Sequence, residues 1–249
     1  MRKIIKKIII ACFPWRIKLL LYSWFSSDLG MADDMFECIA NLKILGFKPD
    51  AVIDIGAYKG DWTARVSKIF ENSKFLMIEP QKSKETILSD LVKQNKNIFY
   101  KQTLLGEENK DKVQFFEMES GSSIYEEQTL VSRKIKYLPM TTLNDLVNEF
   151  QLKGKFFLKL DVQGAELDVL AGASQIIQDI EVILVEVSLL SYQKGGPLFA
   201  EVVNYLNSKD FVLFDICNQY RKPDKTLFQV DLMFIKRKSP IRENVDFKI

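Results

Sequence analysis

The sequence contains no histidine among its 249 residues. This absence excludes Ser-His-Asp and Cys-His catalysis, H-E-x-x-H zinc sites and every metal site built on imidazole. An enzyme with this sequence must take its general base from Asp, Glu, Lys, Tyr or Cys, because it has no side chain whose unperturbed pKa lies near neutrality.

Cysteine is scarce, and its spacing predicts neither a disulfide framework nor a metal motif. The three cysteines, Cys12, Cys38 and Cys217, are odd in number and widely separated. A reducing compartment suits them, so we expect a cytoplasmic protein.

Linkers rich in Pro, Gly or Ser, repeats and low-complexity tracts are also missing. This uniformity predicts one domain over residues 31–249, preceded by a short extension over residues 1–30.

Acidic residues are missing from the start of the chain. Residues 1–25 carry six Lys or Arg and no acid, and since the whole chain is +2, the remaining residues are −4. The mildly acidic body argues against a nucleic-acid-binding surface.

An uninterrupted hydrophobic run is also lacking in residues 1–25. Arg16 and Lys18 interrupt the apolar residues just after Pro14, so the uninterrupted apolar run is too short to span a bilayer. The apolar stretch 8–13 is too short for a signal peptide. The segment is instead a basic, aromatic-rich amphipathic helical element. Two interpretations stay open: a peripheral anchor on the anionic inner face of a membrane, or a helical hairpin packed on its own domain.

Residues 31–249 alternate between short apolar runs and helical patterns. This alternation predicts an α/β fold: a Rossmann-like, doubly wound and mostly parallel sheet with helices on both faces. In such sheets ligands bind beyond the carboxyl ends of the strands. We predict strands at 51–55, 75–79, 98–105, 113–116, 156–160, 182–187, 211–216 and 228–235, and helices at 33–46, 61–71, 83–95, 142–150, 165–178 and 197–208.

A D-x-G-x-x-x-G motif follows the first predicted strand, with Asp54, Gly56 and Gly60 as its fixed positions. Small residues let the backbone approach a ligand and direct helix N–H groups at it. A pyrophosphate site would carry G-x-G-x-x-G instead. The carboxylate of Asp54 suits a cationic ligand such as S-adenosylmethionine, and a plain structural turn is the alternative.

The second predicted strand ends in Glu79, followed by Pro80. A carboxylate at this position can accept hydrogen bonds from both ribose hydroxyls of an adenosine, as an acid at a similar spacing does in nucleotide-binding folds. The combination of Glu79 with the glycine motif is more specific than either feature alone.

The most specific pattern is F-L-K-L-D-V-Q-G-A-E at 157–166, followed by V-L-A-G-A at 169–173. It resembles the FkbM-type family of S-adenosylmethionine-dependent methyltransferases, whose signature is similar to L-K-x-D-x-E-G-A-E-x-x-V-L-x-G-A. The resemblance covers about residues 50–190, including the serine-rich loop at 121–123 and the T-T-L-N-D-L segment. Gln163 stands where the family usually has Glu, Asn144 where it has Asp, and Tyr58 where it has a small polar residue.

The resemblance implies a class I methyltransferase fold with an antiparallel last strand, and it implies roles for several residues. Glu79 would bind the ribose, the turn containing Leu105 the adenine, and Asp161 would face the sulfonium. The methionyl part would be held by the residues around the glycine loop: Asp54, Gly56, Ala57, Tyr58 and Gly60. Family members are thought to methylate hydroxyl groups, often on sugars of glycans or secondary metabolites.

Without histidine, the proton of an acceptor hydroxyl must go to another group. The candidate catalytic residues are Asp161, Glu166 and Glu186. Asp161 follows a strand, Glu166 lies on the next helical turn, where an acid also complements the helix dipole, and Glu186 interrupts a buried run. A Mg²⁺ site on the oxygens of Asp161 and Glu186 is a further hypothesis, although two carboxylates are an incomplete ligand set.

The sequence therefore predicts a cytoplasmic S-adenosylmethionine-dependent O-methyltransferase that acts on a sugar or glycan hydroxyl, with peripheral contact at the inner membrane face through residues 1–25. The alternatives are a nucleotide-sugar or NAD-linked Rossmann enzyme, and a membrane-recruited binding module that keeps the fold without turnover. The absence of the second glycine of G-x-G argues against the first alternative.

Overall fold

Seven strands form a central sheet in the computed structural model, which describes residues 34–129 and 131–243. In order across the sheet they are β3 (Ile98–Lys101), β2 (Lys74–Ile78), β1 (Ala51–Ile55), β7 (Phe156–Leu160), β8 (Ile180–Ser188), β10 (Leu227–Lys236) and β9 (Phe211–Arg221). Of these seven, β10 alone runs against the others, since it pairs antiparallel with both β8 and β9. The predicted fold class and the antiparallel last strand are confirmed.

Alternating side chains of the inner strands enter two hydrophobic cores, one on each face of the sheet. Ile53 and Leu158 pack in one core, whereas Val52 and Phe157 pack in the other. Every residue of β1 and β7 is buried. Burial on both faces explains why these strands read as continuous apolar runs, and why the sequence predicts their bounds correctly.

Seven helices cover the sheet within the described residues: α1 (Asp34–Ile44), α2 (Asp61–Val66), α3 (Glu85–Gln94), α4 (Leu143–Glu149), α5 (Glu166–Ala171), α6 (Phe199–Ser208) and α7 (Pro240–Glu243). A 3₁₀ turn at Lys82–Lys84 precedes α3. Thr142 caps α4 as predicted, because its hydroxyl accepts from Asp145 N at 3.1 Å.

Two predicted helices are shorter than expected. The helix predicted at 61–71 ends at Val66, and the one predicted at 165–178 ends at Ala171 and continues as turns. The apolar residues beyond both ends are buried all the same, for example Phe70 and Ile176. Apolar residues in turns therefore continued the helical pattern past the true helix ends.

A second, three-stranded sheet was not predicted. It has the order β4 (Leu104–Leu105), β6 (Lys134–Thr141), β5 (Lys110–Glu117). The prediction of a single strand at 98–105 is wrong. The chain leaves the central sheet after Lys101, and Leu104–Leu105 pairs with β6 instead. The prediction of a strand at 113–116 is confirmed and extends over the eight residues of β5.

The predicted extension at residues 1–30 and Asp33, the predicted start of the first helix, lie outside the described residues. Among the helices in the described part of the chain, none is long and apolar enough to cross a membrane.

Candidate active site

A cavity of about 410 Å³ opens at the carboxyl edge of the parallel strands. Its walls come from the ends of β1, β2, β7 and β8, from the start of β10, from β9 and from the β5–β6 loop. Of the residues predicted to contact a ligand or to act in catalysis, six line it: Gly56, Tyr58, Glu79, Leu105, Asp161 and Glu186. Asp54, Ala57, Gly60 and Glu166 do not.

The two glycines of the D-x-G-x-x-x-G motif have different structural roles. Gly56 has φ +78°, and a Cβ there would overlap the carbonyl oxygen of Asp161, so the missing side chain lets the ends of β1 and β7 touch. Gly60 is the left-handed N-cap of α2, and a Cβ there would crowd Leu88 and Met77 in the core. Gly60 therefore has a packing role, while its predicted contact with a ligand stays a prediction.

The Asp54 carboxylate lies beneath the cavity rather than in its wall. It is 1% exposed, accepts from Thr63 Oγ1 at 2.7 Å, and lies 3.1 Å from Lys159 Nζ. Lys159 Nζ is also 3.5 Å from Oδ2 of Asp161, which does line the cavity. Burial opposes the charge of Lys159, but the two carboxylates raise its pKa above the usual lysine value. Asp54 is thus linked to the cavity through Lys159 and Asp161, while its own predicted contact with a ligand stays a prediction.

Sequence reasoning assigned no role to Lys159, although the sequence carried a signal. A lysine in the apolar run F-F-L-K-L is rare without a buried partner, and Asp54 is the acid on the neighbouring strand that the register places opposite it.

Glu79 presents its carboxylate to the cavity at the end of β2. The residue is 3% exposed, and its two oxygens accept from Tyr58 N and Gln81 N, each at 2.9 Å. Burial raises the pKa of Glu79, and these two backbone hydrogen bonds oppose the shift. Tyr58 holds a left-handed φ of +49° to make its contact, a strained conformation typical of functional sites.

The start of the β5–β6 loop, residues 118–125, passes over the cavity and is attached on both sides; we call it the strap. On one side, Glu119 Oε2 accepts from Tyr58 Oη at 2.8 Å and Lys84 Nζ at 2.7 Å. On the other side, Ser123 Oγ donates to Gln163 O at 2.6 Å, and Tyr125 Oη donates to Asp168 at 2.8 Å. The serines of the strap line the cavity, while the role of the serine-rich loop toward a substrate stays a prediction.

Two amides hold the carboxylates at the other end of the cavity. Gln163 Nε2 donates to Asp161 Oδ1 at 3.0 Å and to Glu186 Oε1 at 2.5 Å. Gln229 Nε2 donates to the same Glu186 oxygen at 2.7 Å. Gln163 is therefore more than a departure from the family pattern, because its amide donates to two acids between which a glutamate would add a third negative charge.

A third acid, Asp231, lies next to Glu186 on the neighbouring strand. Asp231 on β10 lies directly opposite Glu186 on β8 and accepts from Tyr220 Oη at 2.8 Å and Asn218 Nδ2 at 2.9 Å. Burial raises the pKa of Asp231. Burial, followed by the charges of Asp161 and Asp231, raises the pKa of Glu186 well above the usual glutamate value. Tyr220 and Gln229 line the cavity, and the sequence indicated neither of them.

Glu166 is buried beside the cavity and does not line it. It is 4% exposed, and its Oε1 accepts from Gly164 N at 3.0 Å, so it closes the turn that begins α5. Burial raises its pKa to about 7. This contact gives Glu166 a structural role at the helix terminus, while its catalytic role stays a prediction.

The Mg²⁺ hypothesis finds no support in residues 34–129 and 131–243, where no group of three or more His, Cys, Asp or Glu side chains could hold a metal ion. The amide of Gln163 bonds to both Asp161 and Glu186, and its N–H group would point toward a cation placed between them. Asn144, the other departure from the family pattern, accepts from Gln175 N at 3.2 Å and does not line the cavity.

Comparison with solved structures shows a similar fold in a known methyltransferase. The chain is similar to the methyltransferase FkbM from Methylobacillus flagellatus, with 16% identity and a TM-score of 0.51 over 76% of this chain. It spans 45% of the length of that protein. Magnesium protoporphyrin IX methyltransferase from Synechocystis, solved with bound SAM, gives 10% identity and a TM-score of 0.45 over 81% of this chain and 77% of its own.

No curated protein matches the sequence. The model of the methyltransferase FkbM domain, however, matches residues 54–213, which run from the buried acid of the glycine motif to the start of β9. With more than half of the sequence matched, the chain belongs to the FkbM methyltransferase family.

Proposed function

We propose that this protein transfers the methyl group of S-adenosylmethionine to a sugar hydroxyl, in the synthesis of a glycan or secondary metabolite. The single observation that carries the proposal is the buried carboxylate of Glu79 at the cavity wall. A carboxylate has about four acceptor positions, and Tyr58 N and Gln81 N take two of them. The remaining positions suit the paired hydroxyls of a ribose.

The walls of the cavity fit the other parts of the cofactor. Leu104, Leu105 and Phe115 give an apolar surface for an adenine ring near Glu79. Asp161, with its side chain 36% exposed, offers a negative charge to a sulfonium or ammonium group. When bound, S-adenosylmethionine would supply an electrophilic methyl group. The task left to the chain is to place an acceptor oxygen in line with that group.

The cavity extends beyond Asp161 to Glu186, which leaves room for an acceptor. The strands that carry Glu79 and Glu186 are three positions apart in the sheet, so these residues lie ~14 Å from each other at the usual strand spacing. The acceptor end presents amide, phenol and carboxyl groups from Gln229, Tyr220 and Glu186. This polar and acidic lining favours a neutral acceptor with several hydroxyl groups, which supports a sugar.

Calorimetry with S-adenosylhomocysteine tests the cofactor half of the proposal. Replacing Glu79 by Ala should weaken binding at least ~100-fold, since it removes a charged acceptor and leaves two backbone N–H groups unpaired. Glu71→Ala is the matched control, because Glu71 is exposed and outside the cavity. Equal affinity for both variants would contradict the proposal.

The transfer itself is tested with tritium-labelled methyl donor and a panel of methyl glycosides of glucose, galactose, mannose and rhamnose. Label in a glycoside supports an O-methyltransferase, and cofactor binding without transfer to any of them counts against a sugar as the acceptor.

We also propose a cytoplasmic location with contact at the inner membrane face through residues 1–25. The support is the basic, aromatic composition of that segment. Deleting residues 1–25 should abolish co-sedimentation with vesicles containing phosphatidylglycerol, and unchanged co-sedimentation would contradict the anchor.

A further inference from the structure

The Glu186 carboxylate is held on one side and open on the other. Oε1 accepts from both Gln163 Nε2 and Gln229 Nε2, and Gln229 is itself fixed by Tyr192 Oη at 2.6 Å. Within the described residues, no hydrogen bond to Oε2 is made. Glu186 lines the cavity, so this second oxygen is available to a ligand there.

The charged groups around Glu186 differ from those around Asp161. Asp161 has a cation close by, Lys159 Nζ at 3.5 Å from Oδ2. Glu186 faces Asp161 at the end of β7, Asp231 across the sheet on β10 and Glu166 on α5, with the phenols of Tyr192 and Tyr220 also nearby. Burial, followed by repulsion from these three acids, raises the pKa of Glu186, so its ionised carboxylate is a stronger proton acceptor than that of an exposed glutamate.

We propose that Glu186 is the catalytic proton acceptor of the methyl transfer, and that Gln163 and Gln229 are positioning residues that hold its Oε1 so that Oε2 faces the acceptor hydroxyl. The assignment rests on the proposed function and adds to it. Asp161 is left for the cofactor side of the cavity, where Lys159 keeps its charge compensated.

The step balances without a metal or a further reactant. The acceptor oxygen forms a bond to the methyl carbon, and the carbon–sulfur bond breaks with its electron pair left on sulfur. The hydroxyl proton passes to Oε2 of Glu186, which then releases it to water. The products are a methyl ether, a neutral thioether and one proton.

The first test compares Glu186→Gln with the wild-type chain and with Glu71→Gln as the matched control. A glutamine at 186 keeps the size of the side chain and an oxygen that can accept from both amides. Glu186→Gln should lower kcat for the best glycoside of the panel by about 10²–10⁴-fold, while the affinity for S-adenosylhomocysteine stays within about threefold. Unchanged kcat would overturn the assignment.

The second test does not depend on an acceptor. Carbon-13 NMR of the full chain labelled at the glutamate carboxyl carbons follows each titration, and the signal missing from Glu186→Gln identifies Glu186. We expect this signal to titrate well above the range of exposed glutamates. A signal in the ordinary range would overturn the assignment whether or not any glycoside is methylated. Failure of every glycoside with a raised titration would count against the proposed acceptor class and not against Glu186.

Gln163→Glu tests the positioning residues. The substitution keeps the shape of the side chain but replaces its donor by a third carboxylate between Asp161 and Glu186. The acidic limb of the kcat/KM profile and the NMR titration of Glu186 should both move to higher pH. An unshifted titration of Glu186 would overturn the positioning role of Gln163. A merely structural role would lower the stability of the protein and leave the titration of Glu186 unchanged.

Discussion

Lys159 on β7 reaches Asp54 on β1 with its Nζ 3.1 Å from Oδ1, and both side chains are almost fully buried. The pair joins the two central strands beneath the cavity and places one positive charge below Asp161. Lys159 lies close to both Asp54 and Asp161. A change in the buried pair will therefore alter the charge distribution at the cavity wall.

Removing one partner of this pair should destabilise the protein strongly. Lys159→Met leaves Asp54 charged and buried, and we expect a loss of about 3–5 kcal/mol in the free energy of unfolding, measured by urea denaturation. The double variant Lys159→Met/Asp54→Asn should recover part of that loss, because asparagine can still accept from Thr63 without a charge. As a control, Lys101→Met breaks the half-exposed pair with Glu149 and should cost at most about 1 kcal/mol. Equal losses for the two single variants would contradict this account.

The close approach at Gly56 predicts a cost beyond its backbone conformation. Gly195→Ala is the matched control, with φ +88° but only ordinary contacts to Tyr125 for the added carbon. We expect about 1–2 kcal/mol of destabilisation for Gly195→Ala from the left-handed conformation. Gly56→Ala should exceed this by at least about 2 kcal/mol, because its Cβ would overlap the Asp161 carbonyl. Similar unfolding midpoints in urea for the two variants would argue against a tight contact.

The strap should slow the release of a bound nucleoside. Lys84 and Tyr58 hydrogen-bond to Glu119 and lower the pKa of its carboxyl, so the attachment is ionic at neutral pH. Glu119→Gln should raise the dissociation rate of S-adenosylhomocysteine about two- to fivefold in stopped-flow measurements, a small effect because the Glu119 side chain is exposed to solvent. Glu126→Gln, in the same loop and paired with the exposed Lys194, should leave the rate unchanged. Equal rates for both variants would show that the strap does not cover the exit.

The raised pKa of Glu166 predicts that the stability of the protein depends on pH. Burial raises its pKa from an ordinary glutamate value in the unfolded chain to about 7 in the folded protein. The folded state then binds more protons than the unfolded state between about pH 4.5 and 7, so this contribution to stability is lost as the pH rises through that window. Glu166→Gln cannot ionise, and its stability relative to wild type should therefore increase by roughly 3 kcal/mol from pH 4 to pH 8. A difference that does not change with pH would contradict the assignment.

The sequence predicted the central strands well, and it predicted the outer parts of the molecule poorly, for one physical reason. β1 and β7 lie inside two cores and therefore consist of apolar residues throughout. β6 has exposed positions along most of its length and carries lysines among its apolar residues, so its pattern resembled a loop.

The same distinction holds in the site. The sequence indicated Gly56, Glu79 and Asp161, which follow buried strands directly. Tyr220 and Gln229 belong to β9 and β10, and the reversed direction of β10 brings the start of a strand, not its end, to the cavity. A search restricted to residues that follow strands could not find them.

These late residues place part of the acceptor end outside the stretch of sequence that matches the family. The part of the chain that matches the family runs over residues 54–213 and contains the glycine loop, Glu79 and Asp161. Tyr220, Gln229 and Asp231 lie beyond it. On a ribosome, the cofactor half would emerge well before the residues that hold the acceptor end. An exchange of this C-terminal hairpin between family members could therefore change which acceptor is used while the cofactor half is inherited intact.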